Sequence, residues 1–130
     1  MEIRLQLKRV YDPPSEEDGA RFLVERLWPR GVAKADLAEV QWLKDAAPSP
    51  ELRKWFHHDP QRWDEFRRRY FAELKHREEG LSPILNAAHH GAVTLLYSSH
   101  EGTHNNAVAL REFIQHLLCP SEPSSCLCLQ

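Results

Sequence analysis

What the sequence has little of narrows the field first. Its three cysteines, Cys119, Cys126 and Cys128, all follow Leu118, so no disulfide framework staples the body of the chain. Cys-Leu-Cys is poor zinc spacing, and neither late cysteine stands four from the end, as prenylation requires. No apolar run approaches the roughly 20 residues that cross a bilayer, and Met-Glu-Ile-Arg-Leu-Gln lacks the form of a secretory signal. These absences point to a cytoplasmic protein without a membrane partner. There is no basic excess either: 17 Lys and Arg against 19 Asp and Glu give a net charge of -2. That removes the strongest argument for a nucleic-acid binder that tracks phosphates, although a local basic patch stays open. GxGxxG, Walker, GxSxG and CxxC patterns are missing, so nicotinamide, P-loop, α/β-hydrolase and thioredoxin readings lack their signatures.

The chain nevertheless has the makings of one ordinary domain. Its 130 residues are 42% hydrophobic and 28% charged, enough to bury a core and too apolar for global disorder. The expected organisation is an α/β domain over 1–118, followed by a flexible tail over 119–130 that is rich in Pro and Ser. Ile3, Leu5 and Leu7 alternate with polar residues as in a half-buried strand. After the breaker YDPPSEEDG, the run Arg21 to Trp28 fits either a helix or a strand. Its shortness, Gly19 before it and Pro29 after it favour a strand. A polar turn around Lys34 to Leu37 precedes a third short strand from Val40 towards Asp45.

Three helices are expected to open alike, at Ser49-Pro50, Asp59-Pro60 and Ser82-Pro83, each with a capping side chain before a proline at the first helical position. In the middle one, Trp63, Phe66, Tyr70 and Leu74 form an apolar stripe. Asp64 with Arg68, Glu65 with Arg69 and Glu73 with Arg77 are favourable i,i+4 pairs. Gly80 is expected to close that helix and Gly91 to lead into the run Val93 to Tyr97, a β-rich apolar stretch suited to a buried parallel strand. The last helix carries Ala107, Leu110, Phe113 or Ile114, and Leu117 inward and stops at Pro120. Strands interleaved with helices predict a mostly parallel sheet of about four strands with helices on both faces.

The corner between the last strand and the last helix is the first place to seek a ligand. Ser98, Ser99, Thr103, His104, Asn105 and Asn106 crowd it with donors and acceptors, and the helix start favours an anion; a cap plus a polar loop accounts for the same residues. LWPRG is the second corner. Arg26 and Arg30 can clamp an oxyanion and Trp28 can stack on a ring, or Arg26 is ion-paired and Trp28 is core. Lys44, beside Asp45, is a base candidate or half of a salt bridge. Glu25, set in an apolar run, is an acid/base candidate because a carboxylate there must be paired or have a raised pKa. Tyr97 and His104 would position the reacting group, with His104 as acid or base. Arg26, Trp28, Lys44, Tyr97 and His104 are expected on one rim, since each falls at or just after a strand's carboxyl end.

His57, His58, His89, His90, His100 and His104 invite a metal reading, but none has HExxH or i,i+4 spacing, so no metal is expected. Arg67-Arg68-Arg69 suggests nucleic acid, yet acids balance the bases from Asp59 to Glu79, as on a solvated helix face.

RVYDPP (Arg9 to Pro14), LVERLWPRG (Leu23 to Gly31), WLKDAAPS (Trp42 to Ser49), ELRKWFHHDPQRWDEF (Glu51 to Phe66), LLYSS and HNNA carry a resemblance. In them, from about Ile3 to Ile114, the chain resembles the YeaO-like family, a bacterial branch of a domain-of-unknown-function family. The resemblance implies a small cytoplasmic α/β domain and transfers no substrate, cofactor or catalytic residue. Glu25 stands where the family pattern has aspartate, and SSHEGT follows LLY where other members have an Ala-Lys-Asp type of run. The functional expectation is a small-molecule or nucleotide-type oxyanion site at the strands' carboxyl ends, whether enzymatic or not. The alternative is a non-enzymatic module that docks nucleic acid or protein.

Overall fold

The first strand forms where period-two alternation predicts it, and each later element builds on it. In the computed structural model, which describes residues 4–57, 59–99 and 104–118, β1 is Leu5–Arg9, β2 Ala20–Leu23, β3 Val40–Trp42 and β4 Val93–Tyr97. The order across the sheet is β1-β4-β2-β3 and every pairing is parallel. β4 is therefore flanked on both sides, its residues aligning from Leu5↔Val93 to Arg9↔Tyr97 and from Ala20↔Val93 to Leu23↔Leu96. All five of its residues are buried, which explains why it reads as a continuous apolar run instead of an alternating one.

Four helices follow the remaining runs: α1 Pro50–Phe56, α2 Trp63–Lys75, α3 Ser82–Ala88 and α4 Asn106–Leu118. Ser49 Oγ accepts from the Leu52 N–H at the start of α1, and Asp59 Oδ1 accepts from the Gln61 N–H in the turn that leads into α2. Two expectations are corrected. Ser82 does not cap α3 but is its first residue, because the 3-10 turn Glu78–Leu81 runs straight into the helix and the Ser82 N–H is taken by the Glu79 carbonyl. Gly80 lies within that turn, and α2 ends earlier, at Lys75. The second and third strands are also shorter than their sequence runs. Beyond Leu23 the Val24 N–H makes one more bond, to Leu96 O, before the chain turns away, and Lys44–Ala46 coils into a 3-10 turn. The pairs Glu65–Arg69 on α2 and Glu73–Arg77 across its end form, while Asp64 meets Arg67 rather than Arg68.

The two faces of the sheet are covered unequally. One buries Phe22, Val24, Leu95 and Tyr97 against side chains from all four helices, including Leu52, Phe66, Tyr70, Ile84 and Leu110. The other holds a small cluster of Val10, Leu23, Leu37 and Leu96, covered by Trp28 and Val32 from the loop after β2 and by Trp42 at the end of β3. Beside that cluster the cover is polar. Lys8 donates to Asp18 at 3.1 Å, Gln6 to Glu17 O and Thr94 Oγ1 to Asp18 O. Gly19 joins this segment to β2 with φ +65, and a Cβ there would stand 2.1 Å from Ala92 O. Only glycine accepts both the left-handed backbone and that approach.

Candidate functional site

Where β2 and β4 end side by side, the chain leaves the sheet twice and the two departures part to form a cleft. Glu25 and Arg26 leave β2, Ser98 and Ser99 leave β4, and Asn105 and Asn106 begin α4. α1 closes the other side. Ser49 just before it donates through its N–H and hydroxyl to Glu73 of α2, and Tyr70 of α2 donates to Ala46 O. Both anchors fix Pro48, Pro50 and Arg53 opposite the strand ends. The resulting cleft holds about 510 Å³, within the range of small-ligand sites.

Its walls and charges are sorted. Pro48, Phe56 and Phe66 give apolar sides, with the Phe56 and Phe66 rings stacked at 4.3 Å between centroids. Arg53, Lys54 and His57 lie on exposed positions, and Arg26, half-buried, reaches Pro48 O at 3.4 Å. His57 ends α1 with φ 47, left-handed for a residue with a Cβ, a conformation that costs free energy and gathers at ligand sites. His104 meets the Trp63 ring edge-on at 5.0 Å. The Asn106 amide donates to Val24 O at 2.7 Å, and Asn105 Oδ1 accepts from the Val108 N–H, so the start of α4 is locked to the end of β2. Arg9 holds the β4 exit through the Ser98 and Ser99 carbonyls.

Glu25 is the one carboxylate in the lining among the described residues. Burial drives its pKa above the ordinary value of 4.5, against the opposing pull of the Arg53 guanidinium and hydrogen bonds from Ser98 and Asn106. Ser98 Oγ donates to Oε1 at 3.3 Å, whereas Oε2 is shielded from solvent and has no hydrogen-bond partner among the described residues.

Of the residues expected on one rim, the cleft unites Arg26 and His104, together with Glu25, Ser98, Ser99 and Asn105. The other three lie elsewhere. Trp28 packs edge-on against Trp42 at 5.2 Å on the opposite face of the sheet, where its indole N–H reaches Val32 O. Lys44 stands 4.3 Å over the Trp42 ring, and Tyr97 is buried in the main core. The Arg30 carbonyl takes the Tyr11 hydroxyl, and the residue is not part of the lining. Arg53, Lys54 and Phe56 were not singled out by sequence. The only signal for them is a pair of basic residues in the last turn of a short helix, and what brings that turn over the strand ends is tertiary packing. His58, His100, Thr103 and the three cysteines lie outside the described residues. Among the described residues no group of three or more His, Cys, Asp or Glu gathers as a metal site would require, and no helix is long and apolar enough to cross a membrane.

Fold and cleft together define a small parallel α/β domain with a ligand-sized cleft at its central strands' carboxyl ends. The chain belongs to the DUF488-N3i family, described as the inactive DUF488-N3 subclade, whose match runs over residues 4–130 and so extends through the C-terminal residues beyond the resemblance. It is similar to the uncharacterized protein YeaO of Escherichia coli (strain K12), with 44% identity over 115 residues, 88% of this chain and 100% of that protein. It is also similar to the uncharacterized proteins Rv3073c of Mycobacterium tuberculosis (strain H37Rv) and Mb3100c of Mycobacterium bovis. Each of those is 38% identical over 113 residues, 87% of this chain and 95% of theirs. No solved structure matches the chain.

Proposed function

We propose that this chain binds a small anionic molecule in the cleft and does not turn it over. Charge carries the reading: among the described residues Arg26, Arg53 and Lys54 share the lining with one carboxylate, that of Glu25, in a chain of net charge -2. Neither Arg53 nor Lys54 makes an ion pair among the described residues. Like charges gathered at a low-dielectric cleft focus their field on its mouth. The start of α4 adds the positive end of a helix dipole. Ser98, Ser99, His104 and Asn105 supply polar groups that would orient a ligand. Binding without turnover is supported by the description of the subclade as inactive. A nucleic-acid or protein-docking module has less support. Arg67, Arg68 and Arg69 are engaged by Glu112 and Glu65, with the Glu65 carboxyl held down to about 2 by its bonds from Arg68 and Arg69, and Trp28 is turned inward.

Thermal unfolding in the presence of inorganic phosphate, AMP or succinate tests this. A ligand at a hundred times its Kd stabilises the native state by about 2.7 kcal/mol, a rise in Tm of several degrees. The double variant Arg53→Ala/Lys54→Ala is expected to lose that rise. No shift with any of the three anions at millimolar concentration overturns the reading, and affinity for an oligonucleotide that falls steeply with salt replaces it with the alternative.

A further inference from the structure

The cleft has two unlike ends. Arg53 and Lys54 occupy exposed positions of the lining, which also holds the buried rings of Phe56 and Phe66 and a half-buried acceptor-only group, the Glu25 carboxylate. Ser98 and the Asn106 amide serve one side of the carboxylate, with Ser98 Oγ 3.3 Å from Oε1, and Oε2 has no hydrogen-bond partner among the described residues. A carboxylate accepts about four hydrogen bonds, and leaving a buried one short of donors is costly. The terminal torsion of a glutamate is broad, so turning the carboxylate to meet a ligand costs little. A plain anion satisfies the cations and leaves this acceptor unmet.

Building on the anion-binding reading above, we infer that the ligand carries a forked N–H donor at the end remote from its anionic group. Glu25 is the specificity-determining residue that receives the fork. A planar donor pair fits a carboxylate in bidentate fashion, and a flat body suits the space between apolar walls and rings. Two sources share this chemistry: the amide and amino edge of a guanine nucleotide, and a guanidinium joined by a short chain to a carboxylate. Arg53, Lys54 and Arg26 take the phosphate or carboxylate in either case.

Two matched pairs of probes measured by calorimetry on the full chain test the inference: GMP against ribose 5-phosphate, and 4-guanidinobutyrate against butyrate. The pair whose donor-bearing member binds tighter identifies the source. A charge-assisted fork corresponds to a gap of about tenfold or more in Kd. Glu25→Gln presents an amide N–H₂ to the incoming donors and is expected to erase the gap. Glu25→Asp keeps the charge, shortens the reach and narrows the gap, which keeps the test open should the glutamine variant not fold. Arg53→Ala is expected to weaken both members of a pair alike and preserve the gap. Equal affinities within both pairs, or a gap that survives Glu25→Gln, overturn the inference while leaving anion binding in place. If none of the four probes binds but phosphate, AMP or succinate does, the inference fails alone; if no anion in either set binds, both readings fail.

Discussion

The two faces of the sheet solve one burial problem by different means. The face under the four helices buries a large apolar cluster, and residues such as Leu95, Ile84 and Leu110 are fully buried there. The opposite face has no α-helix in its buried cluster. It combines that small apolar group with polar latches from Lys8, Gln6 and Thr94 to the segment Glu16–Asp18. The difference appears in one carboxylate from each region, Asp18 buried and Glu25 half-buried. Asp18 is desolvated, but the Ser15 N–H and Lys8 outweigh that penalty and hold its pKa below the ordinary value. Glu25 is desolvated without full compensation and its pKa rises. One acid holds structure, and the other is left under-satisfied beside the cleft.

The strongest way to break the comparison is to remove matched leucines from adjacent positions of β4. Leu95→Ala, on the helix-covered face, is expected to cost about 3–5 kcal/mol, and Leu96→Ala, under the thinner cover where loops can settle, nearer 2 kcal/mol. Urea unfolding measures both, and equal losses would show that the faces are equally packed. Asp18→Asn comes next, at about 1–2 kcal/mol for charge-assisted bonds. Because the folded pKa is depressed, the stability Asp18 confers is present above its unfolded value near 3.8 and is lost as pH falls through the folded one. The variant's deficit should therefore close on acidification.

Glu25→Gln should show the opposite sign. A raised folded pKa confers stability that is complete below the unfolded value near 4.5 and disappears as pH rises through the folded one. Wild type should thus lose ground to the variant on going from pH 4 to pH 8, and a difference independent of pH would show that Glu25 is well solvated or fully paired. Smallest of all, Arg53→Ala/Lys54→Ala without ligand should stay within about 0.5 kcal/mol of wild type, as exposed substitutions do. A larger loss would make these cations structural.

Much of the scaffold was legible because its signals are local. The run Val93 to Tyr97 and the stripe Phe66, Tyr70 and Leu74 are set by the residues' own spacing, and so are the caps at Ser49 and Asp59. The cleft was half legible for the same reason. Glu25, Arg26, Ser98, Ser99, His104 and Asn105 adjoin strand ends along the chain and could be placed by sequence. Trp28 could not, since after Arg26 the chain bends to the other face of the sheet, where Trp28 packs on the cluster of Leu23 and Leu96. Arg53 and Lys54 were hidden because α1 reaches the cleft through Ser49, Glu73 and Tyr70, contacts made across the fold.

Gly19 sits at the far end of β2 from the cleft, yet it governs how the cleft is drawn. The close approach of its backbone to Ala92 O fixes where β2 starts along β4, and from there the count of residues to Glu25 and to Ser98 is rigid. A methyl group at position 19 would slide one strand against its neighbour, carrying the carboxylate out of line with the hydroxyl that meets it at the other end. If the cleft binds the anion proposed above, such a lesion would score in a genetic screen as a loss of ligand recognition, although the altered residue lies outside the cleft.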